Sequence, residues 1–365
     1  RSTLFPYTTL FRSPYSISTR NADHPVTLGE AIARGIAPDG GLYVPQEFPH
    51  FSTREFETDL ELPQIAARLL APFAAGDPLA AELPAVCNEA FDFPAPLVGL
   101  PNAPAPLSVL ELFHGPTSAF KDFGARFLAA SMERIRRGQR RKLTILVATS
   151  GDTGGAVAAA FHGKPWVDVV VLYPHGRVSE LQAHQLACWG GNVRTFAVRG
   201  SFDDCQRIVK EAFADPALAE THQLSSANSI NVGRLLPQMV YFAQAGLQLW
   251  RESGRRANFI VPTGNLGNAL ACIWARHIGV PIGEIVLATN ANQSITEYLR
   301  TGEWAPRPSV STLANAMDVG DPSNMERLRS LHSDFDELQG QIGASSVDDI
   351  DRKSTRLNSS HPYRS

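Results

Sequence analysis

Apolar strands alternate with helical patterns along the middle of the chain, and this alternation constrains the fold more than any other feature. Three of the strands are followed by loops rich in Gly, Ser, Thr or Asn. The pattern is typical of α/β proteins with a mainly parallel sheet. The predicted strands are 143–148, 168–173, 192–198, 222–224, 258–261 and 285–289. The predicted helices are 154–161, 179–189, 202–214, 233–252 and 269–277.

The N-terminal part of the chain has a different pattern. A strand at 16–20 precedes a helix that starts at Thr27 and stops at Gly35. Residues 55–91 predict short helices, and 107–113 predicts a buried strand that leads into the next helix. We expect four prolines to break the helices of this segment: Pro63, Pro72, Pro78 and Pro84.

These patterns predict an α/β protein with two α/β domains and an N-terminal helical region. We expect the helical region at 14–100 and a small α/β domain at 141–224. A larger α/β domain is expected to combine 101–140 with 225–352. Residues 1–13 and 353–365 lack periodicity, and the chain does not begin with Met, so we expect both ends to be foreign to the native protein. On this interpretation the native chain is cut at about Asp351.

Composition excludes several classes of function. The formal net charge of -3 and the dispersed basic residues argue against a nucleic-acid partner. No apolar run approaches the about 20 residues that a membrane-spanning helix needs. The cysteines lack the spacing of a metal site or a disulfide framework, which favours a reducing cytoplasm and no metal. They are Cys87, Cys188, Cys205 and Cys272.

The stretch HGPTSAFKDFGARF, which starts at His114, predicts a turn followed by a helix. Thr117 or Ser118 is expected to cap that helix, and Lys121 falls within its first turn. His114 is expected either to donate to a substrate group or to satisfy a hydrogen bond in the core.

Lys121 has the surroundings of a reactive amine. The positive end of the helix and the flanking Phe120 and Phe123 would disfavour the ammonium form, and a free amine can form a Schiff base. A single lysine in a helix is nevertheless more often a solvated surface charge. The residue by itself therefore leaves both interpretations open.

The loop TSGDTGG at 149–155 lies between a predicted strand and a predicted helix. Its hydroxyls and backbone N–H groups suit an anion such as a carboxylate or a phosphate. Asp152 disfavours a pure anion site, and its carboxylate is expected instead to meet a polar substituent of a bound cofactor or substrate. The alternative is a simple strand-to-helix turn.

The loop VPTGNLGNA at 261–269 also lies between a strand and a helix. Gly264 and Gly267 permit close approach of the backbone, and the first N–H groups of the helix attract an anion. The loop differs from the dinucleotide pattern GxGxxG and lacks the lysine of a Walker A loop. It therefore favours a phosphate monoester, with a tight packing turn as the alternative.

A third loop, SSANSINVGR at 225–234, is rich in amide side chains. Asn228, Asn231 and Arg234 are candidate ligand contacts, and helix capping is the alternative for each asparagine. An amine on one loop and a phosphate site on another together indicate pyridoxal phosphate, whose aldehyde requires the first and whose phosphate requires the second.

The lysine stretch resembles the cofactor-lysine signature of threonine synthases. Four further motifs support the resemblance, which extends over about 17–350: APDGGLYVP at 37–45, ATSGDTG at 148–154, GNLGN at 264–268 and AMDVGDPSNMER at 316–327. The resemblance implies fold type II of the pyridoxal phosphate enzymes, which is the fold of the tryptophan synthase β subunit. It also implies conversion of O-phospho-L-homoserine and water into L-threonine and phosphate, the last step of threonine biosynthesis.

The resemblance also implies roles for individual residues. Lys121 would form the internal aldimine and carry protons, and the cofactor would also contact Phe120 and Asp152. The loop that would hold the cofactor phosphate consists of Gly264, Asn265, Leu266, Gly267 and Asn268. The residues expected to contact the substrate are His114, Thr149, Ser150, Gly151, Thr153, Asn228, Asn231 and Arg234.

The sequence departs from the family near its C-terminus. Enzymes of this fold place a Ser or Thr hydroxyl from a late segment against the pyridine nitrogen, and this chain is expected to stop before that segment. We therefore expect weaker cofactor binding than in an intact relative. The alternatives are another fold type II lyase, namely a hydroxyamino-acid dehydratase or a phospholyase, or a cofactor-binding homologue with impaired catalysis. The expected assembly is a monomer or a homodimer.

Overall fold

The computed structural model describes residues 15–56, 59–103, 106–332 and 334–349, without the side chains of residues 203, 219 and 220. The two terminal segments that we expect to be foreign lie outside the described residues. Among the residues described, no helix combines the length and the apolar character needed to cross a membrane.

The described part of the chain starts with a small unit of two strands and a helix. Strand β1 (Ser16–Ser18) pairs antiparallel with β2 (Tyr43–Pro45), and helix α1 (Leu28–Arg34) lies between them in the chain. Thr27 caps α1 by accepting the N–H of Glu30, and the helix ends at Gly35. The helix agrees with the one predicted from the sequence, whereas β1 ends two residues before its predicted end and β2 was not predicted.

Two longer helices follow, and prolines lie inside both. They are α2 (Leu62–Ala74), preceded by a 3₁₀ turn at Thr53–Phe56, and α3 (Leu79–Ala90). Pro63 starts α2, but Pro72 and Pro84 interrupt neither helix, so the prediction that they break helices is wrong. A proline costs one backbone hydrogen bond, and the buried apolar faces of both helices offset that cost.

A hairpin separates these helices from the lysine stretch. Strand β3 (Leu97–Gly99) pairs antiparallel with β4 (Ser108–Leu110). The prediction of a buried strand at 107–113 is wrong, since Leu107, Val109 and Phe113 are exposed. A two-stranded ribbon has no second layer to cover its outer face.

The next elements form the small α/β sheet. Helix α4 (Lys121–Ile135) leads into four parallel strands in the order β7-β6-β5-β8. The strands are β5 (Leu143–Ala148), β6 (Val167–Pro174), β7 (Val193–Val198) and β8 (Gln223–Ser226). The connecting helices are α5 (Asp152–Phe161), α6 (Glu180–Ala187), α7 (Phe202–Ala214) and α8 (Pro216–Thr221). Of these helices, α8 was not predicted.

The rest of the described chain builds a second parallel sheet, in the order β11-β10-β9. Its strands are β9 (Ala257–Pro262), β10 (Ile282–Thr289) and β11 (Ile342–Ser346). The helices are α9 (Val232–Leu235), α10 (Met239–Ser253), α11 (Gly267–His277), α12 (Ser294–Thr301), α13 (Met325–Leu331) and α14 (Phe335–Gln341), with 3₁₀ turns at Leu236–Gln238 and Asn315–Met317. The predicted continuous helix at 233–252 is divided at Leu236–Gln238, because Pro237 cannot donate a helical hydrogen bond.

One apolar core joins the N-terminal helices to both sheets. Fully buried Phe123 and Phe127 of α4, Tyr241 of α10 and Trp274 of α11 belong to this cluster. The core therefore fixes α4, and Lys121 at its start, relative to the loops after the strands of both sheets.

Candidate active site

A cavity of about 1520 Å³ lies where strands of the two sheets end. Its lining includes Ala148, Ser226 and Pro262, the last residues of β5, β8 and β9. The carboxyl ends of parallel strands are the usual place for a ligand site in α/β proteins. The lysine stretch and the three loops singled out in the sequence all contribute residues to this cavity.

Lys121 is the first residue of α4, and a buried carboxylate organises the turn before it. Asp122 accepts the backbone N–H of Thr117 at 2.8 Å and its hydroxyl at 2.7 Å. Burial raises the pKa of Asp122, although these hydrogen bonds oppose the rise. The residue at the N-cap is Phe120, so the predicted capping by Thr117 or Ser118 is wrong. Thr117 is already bonded to Asp122, and Ser118 takes a left-handed conformation with φ 55°.

The amine of Lys121 faces the cavity and meets a carboxylate. Its Nζ lies 3.2 Å from Oδ2 of Asp152 and 4.5 Å from the centre of the Phe120 ring, and the side chain is 16% exposed. Both neighbours attract a cation. This differs from the apolar environment expected from the sequence, because Asp152 approaches from the small sheet and Phe123 points into the core.

Asp152 begins α5 and is held by two donors. Gln182 donates to its Oδ1 at 2.7 Å, and Lys121 donates to its Oδ2. Burial is the largest single influence on the pKa of Asp152 and raises it. The positive charge of Lys121, together with the hydrogen bonds that Gln182 and Lys121 donate, outweighs burial. The pKa of Asp152 therefore lies below its ordinary value.

Replacing Asp152 by asparagine is expected to destabilise the fold at neutral pH by about 1–2 kcal/mol, because a charge-assisted bond to Lys121 is lost. A depressed pKa stabilises the fold above the unfolded-state pKa, and this contribution disappears as pH falls through the folded-state value. The difference between wild type and Asp152→Asn should therefore be constant above about pH 5 and shrink below about pH 4. Urea unfolding of both proteins freed of cofactor, between neutral and acidic pH, measures it. A difference that widens on acidification would contradict this assignment.

The loop after β5 divides into structural and cavity-facing residues. Thr149 is buried, and its hydroxyl accepts the N–H groups of Gly151 and Gly154, so it stabilises the turn as well as bordering the cavity. Ser150 and Thr153 line the cavity. Gly151 precedes helix α5 with φ 139° and does not line the cavity.

The loop after β9 forms a tight entry to α11. Gly264, Asn265, Gly267 and Asn268 line the cavity, whereas Leu266 is buried with φ 61°. A Cβ at Gly264 would lie 2.8 Å from the Cα of Met317, so only glycine fits there. Helix α11, which has 11 residues, starts within this loop. The free N–H groups of its first turn suit an anion.

The third loop contributes two of its three predicted contacts. Asn228 and Arg234 line the cavity, but Asn231 does not. The Asn231 side chain is buried, donates to the carbonyls of Ile32 and Ser226 and caps α9. Asn231 is therefore a structural cap rather than a ligand contact, because its amide is used within the protein.

Arg234 and Asn228 bring polar side chains to the lining of the cavity. Within the described residues, Nε of Arg234 and Oδ1 of Asn228 are buried without a hydrogen-bond partner. Burial lowers the pKa of Arg234 to about 10, and nearby Asp122 opposes this shift. Arg234 also donates from Nη1 to the carbonyl of Ala227, which orients its guanidinium.

His114 is not brought to the cavity. Its Nε2 lies 2.8 Å from Oε2 of Glu111, and the residue is absent from the cavity lining. The preceding Phe113 is exposed, so the chain places His114 near the protein surface. Neither of its two predicted roles, substrate contact or hydrogen bonding in the core, matches this position.

Sequence reasoning missed two residues that connect the loop after β5 to the segment before α13. Gln182 donates to Asp152, and its Oε1 accepts from Nδ2 of Asn315 at 3.1 Å. Gln182 also forms a capping box with Ser179, which is the only signal in the sequence and indicates a helix start alone. Asn315 adjoins the AMDVGDPSNMER motif but gave no signal of its own.

Comparison with known proteins identifies the family. Residues 90–351 match the family described as "Pyridoxal-phosphate dependent enzyme", and residues 15–91 match "Threonine synthase N terminus". The threonine synthase of Haemophilus influenzae is 43% identical over 314 residues, covering 85% of this chain and 73% of that protein. That of Escherichia coli is 40% identical over 338 residues, covering 92% of this chain and 77% of that protein.

Solved structures agree. The crystal structure of Escherichia coli threonine synthase has a TM-score of 0.86 at 37% identity, covering 94% of this chain and 80% of the other. The pyridoxal-phosphate-bound threonine synthase from Brucella melitensis has a TM-score of 0.83 at 33% identity, covering 96% of this chain and 82% of the other. The chain therefore belongs to the threonine synthases, pyridoxal-phosphate-dependent enzymes of fold type II.

Proposed function

We propose that this chain converts O-phospho-L-homoserine and water into L-threonine and phosphate. The observation that carries the proposal is the convergence of the Lys121 amine and the glycine loop after β9 on one cavity. An aldehyde and a phosphate on one cofactor require that pair of groups. Asn228 and Arg234, which line the same cavity, offer further contacts to a polar substrate.

The residues of the cavity fit pyridoxal phosphate. The amine of Lys121 would hold the aldehyde carbon, and the loop formed by residues 264–268 with the N-terminus of α11 would hold the phosphate. Phe120 and Asp152 border the amine and would contact the cofactor. The missing Cβ at Gly264 allows the loop to lie against Met317.

The chain's own residues then account for the reaction. Bound pyridoxal phosphate supplies storage for the electron pair left on the substrate α-carbon. Lys121 Nζ would take the α-proton and return protons at later steps. Ser150 and Thr153 would donate hydroxyl hydrogen bonds to the substrate carboxylate, and Arg234 would bind the substrate phosphate that leaves. Water supplies the new hydroxyl group of the product.

We place this activity in the cytoplasm. The four cysteines, of which only Cys188 is exposed, are all free thiols, as a reducing compartment allows. The proposed assembly remains a monomer or a homodimer, which size-exclusion chromatography with light scattering would distinguish.

A product assay tests the proposed reaction. The purified chain, supplied with pyridoxal phosphate and O-phospho-L-homoserine, is expected to release phosphate and threonine in equal amounts. Phosphate with 2-oxobutanoate instead of threonine would indicate an eliminating lyase, and no product with bound cofactor would indicate a non-catalytic homologue. Either result would overturn the proposed reaction.

A further inference from the structure

Arg327 is a fully buried arginine that joins three segments of the chain. Its guanidinium donates to the carbonyl of Tyr43 at 2.9 Å, to Oδ1 of Asn324 at 2.7 Å, and to the carbonyls of Ser229 and Ile230. Each of these acceptors is a backbone or amide oxygen. One cation therefore ties strand β2 and the third loop to the start of α13.

Asn324 links Arg327 to the loop after β9 by a further hydrogen bond. Because its Oδ1 accepts from Arg327, its Nδ2 is directed to the carbonyl of Asn265, at 3.0 Å. On the other side, the backbone N–H of Ser323 donates to Oδ1 of Asn265 at 2.6 Å. Asn324 is 0% exposed, so water does not compete for these bonds.

The bond from Asn324 fixes a peptide plane inside the loop. The carbonyl of Asn265 and the N–H of Leu266 share that plane and point in opposite directions, since the described chain has no cis peptide bonds. Holding the carbonyl toward Asn324 therefore directs the Leu266 N–H the other way. Donors fixed in this manner bind an anion without the entropy cost of ordering the loop.

We propose that Arg327 and Asn324 are positioning residues that hold the loop at 264–268 in the conformation that binds the cofactor phosphate. Neither residue lines the cavity, and Asn324 reaches the loop at 264–268 through Asn265. Arg327 also holds the carbonyls of Ser229 and Ile230, which line the cavity. The inference rests on the proposed assignment of that loop to the cofactor phosphate. Burial lowers the pKa of Arg327 to about 9, and its acceptors offset part of the cost of the buried charge.

The substitution Asn324→Asp isolates this role. Aspartate keeps an acceptor for Arg327 and pairs with its charge, so the fold is retained. It lacks the Nδ2 donor, and an oxygen then faces the carbonyl of Asn265. The dissociation constant for pyridoxal phosphate is expected to rise about tenfold or more. That for pyridoxal, which lacks the phosphate, is expected to stay within about twofold.

Fluorescence titration of the full-length chain with each compound provides the comparison, and thermal unfolding monitors the fold. Asn192→Asp is the matched control, because its Nδ2 also donates to backbone carbonyls but far from the loop. This control should leave the preference for pyridoxal phosphate over pyridoxal unchanged. Equal weakening of both compounds by Asn324→Asp would overturn the proposal.

A variant inside the loop distinguishes failure of the positioning role from failure of the proposed phosphate site. Asn268→Asp adds a negative charge among the cavity-lining loop residues and should reduce the preference for the phosphorylated compound. If it does so while Asn324→Asp has no effect, the positioning role of Arg327 and Asn324 is wrong. If neither variant changes the preference, the phosphate does not bind at this loop, which overturns the assignment and this proposal together.

Discussion

Replacement of Lys121 by alanine is expected to lower kcat by about a thousandfold or more, with the fold retained. The substitution removes the amine that would hold the cofactor and move protons at the α-carbon. Its stability cost should be modest, because the residue lies at the start of α4 while the core is formed by later residues such as Phe123 and Phe127. Phosphate release and threonine formation measure turnover, and circular dichroism checks the fold.

Lys210→Ala is the matched control for this substitution. Lys210 is an exposed lysine of α7 that lines the same cavity, so its removal changes the charge there without removing the proposed reactive amine. Its turnover should remain within about threefold of wild type. Small primary amines added to Lys121→Ala should restore part of the activity, since they supply the missing proton carrier. A Lys121→Ala enzyme that keeps a tenth of wild-type turnover would assign the proton transfers to another group.

The sequence predicted the alternating strands and helices well, because the periodicity of apolar residues is a local property of the chain. Strand β5 and helix α7 lie where they were expected, and β6 and α11 differ by only a residue or two at their ends. Errors arose where packing decides the outcome. Pro72 and Pro84 remain inside helices because the apolar faces of those helices are buried. The strand predicted at 107–113 is only three residues long and pairs in a two-stranded hairpin, with Leu107, Val109 and Phe113 exposed.

The site was predicted by residue type but not by contacts. Lys121 and Asp152 are 31 residues apart, and Gln182 and Asn315 are 133 apart, so their hydrogen bonds depend on how the two sheets meet. Asn231 shows a second limit, since an asparagine before a helix has the same sequence signal whether it caps the helix or binds a ligand. Burial decides between these roles, and a single sequence does not contain that information.

Gly124→Ala is expected to destabilise the fold by about 1–3 kcal/mol and to lower kcat/KM. Gly124 lies on α4 one turn after Lys121, where the helix touches the third loop. A Cβ there would lie 2.5 Å from the backbone carbonyl oxygen of Arg234 and 3.1 Å from its Nε. Because the closest atom belongs to the backbone, the helix and the loop must separate to make room. The same movement would displace Lys121 from Asn228 and Arg234.

Gly155→Ala separates this contact from the general effect of alanine in a helix. Gly155 is buried in α5, and the nearest atom to its added Cβ lies 3.8 Å away, which is an ordinary contact. Alanine favours the helix by up to about 1 kcal/mol over glycine, so this variant should be as stable as wild type or more stable. Urea unfolding compares the variants, and kinetics with O-phospho-L-homoserine detects the displacement. If Gly124→Ala behaves like Gly155→Ala in both measurements, close contact between α4 and the third loop is not what holds Lys121 opposite Arg234.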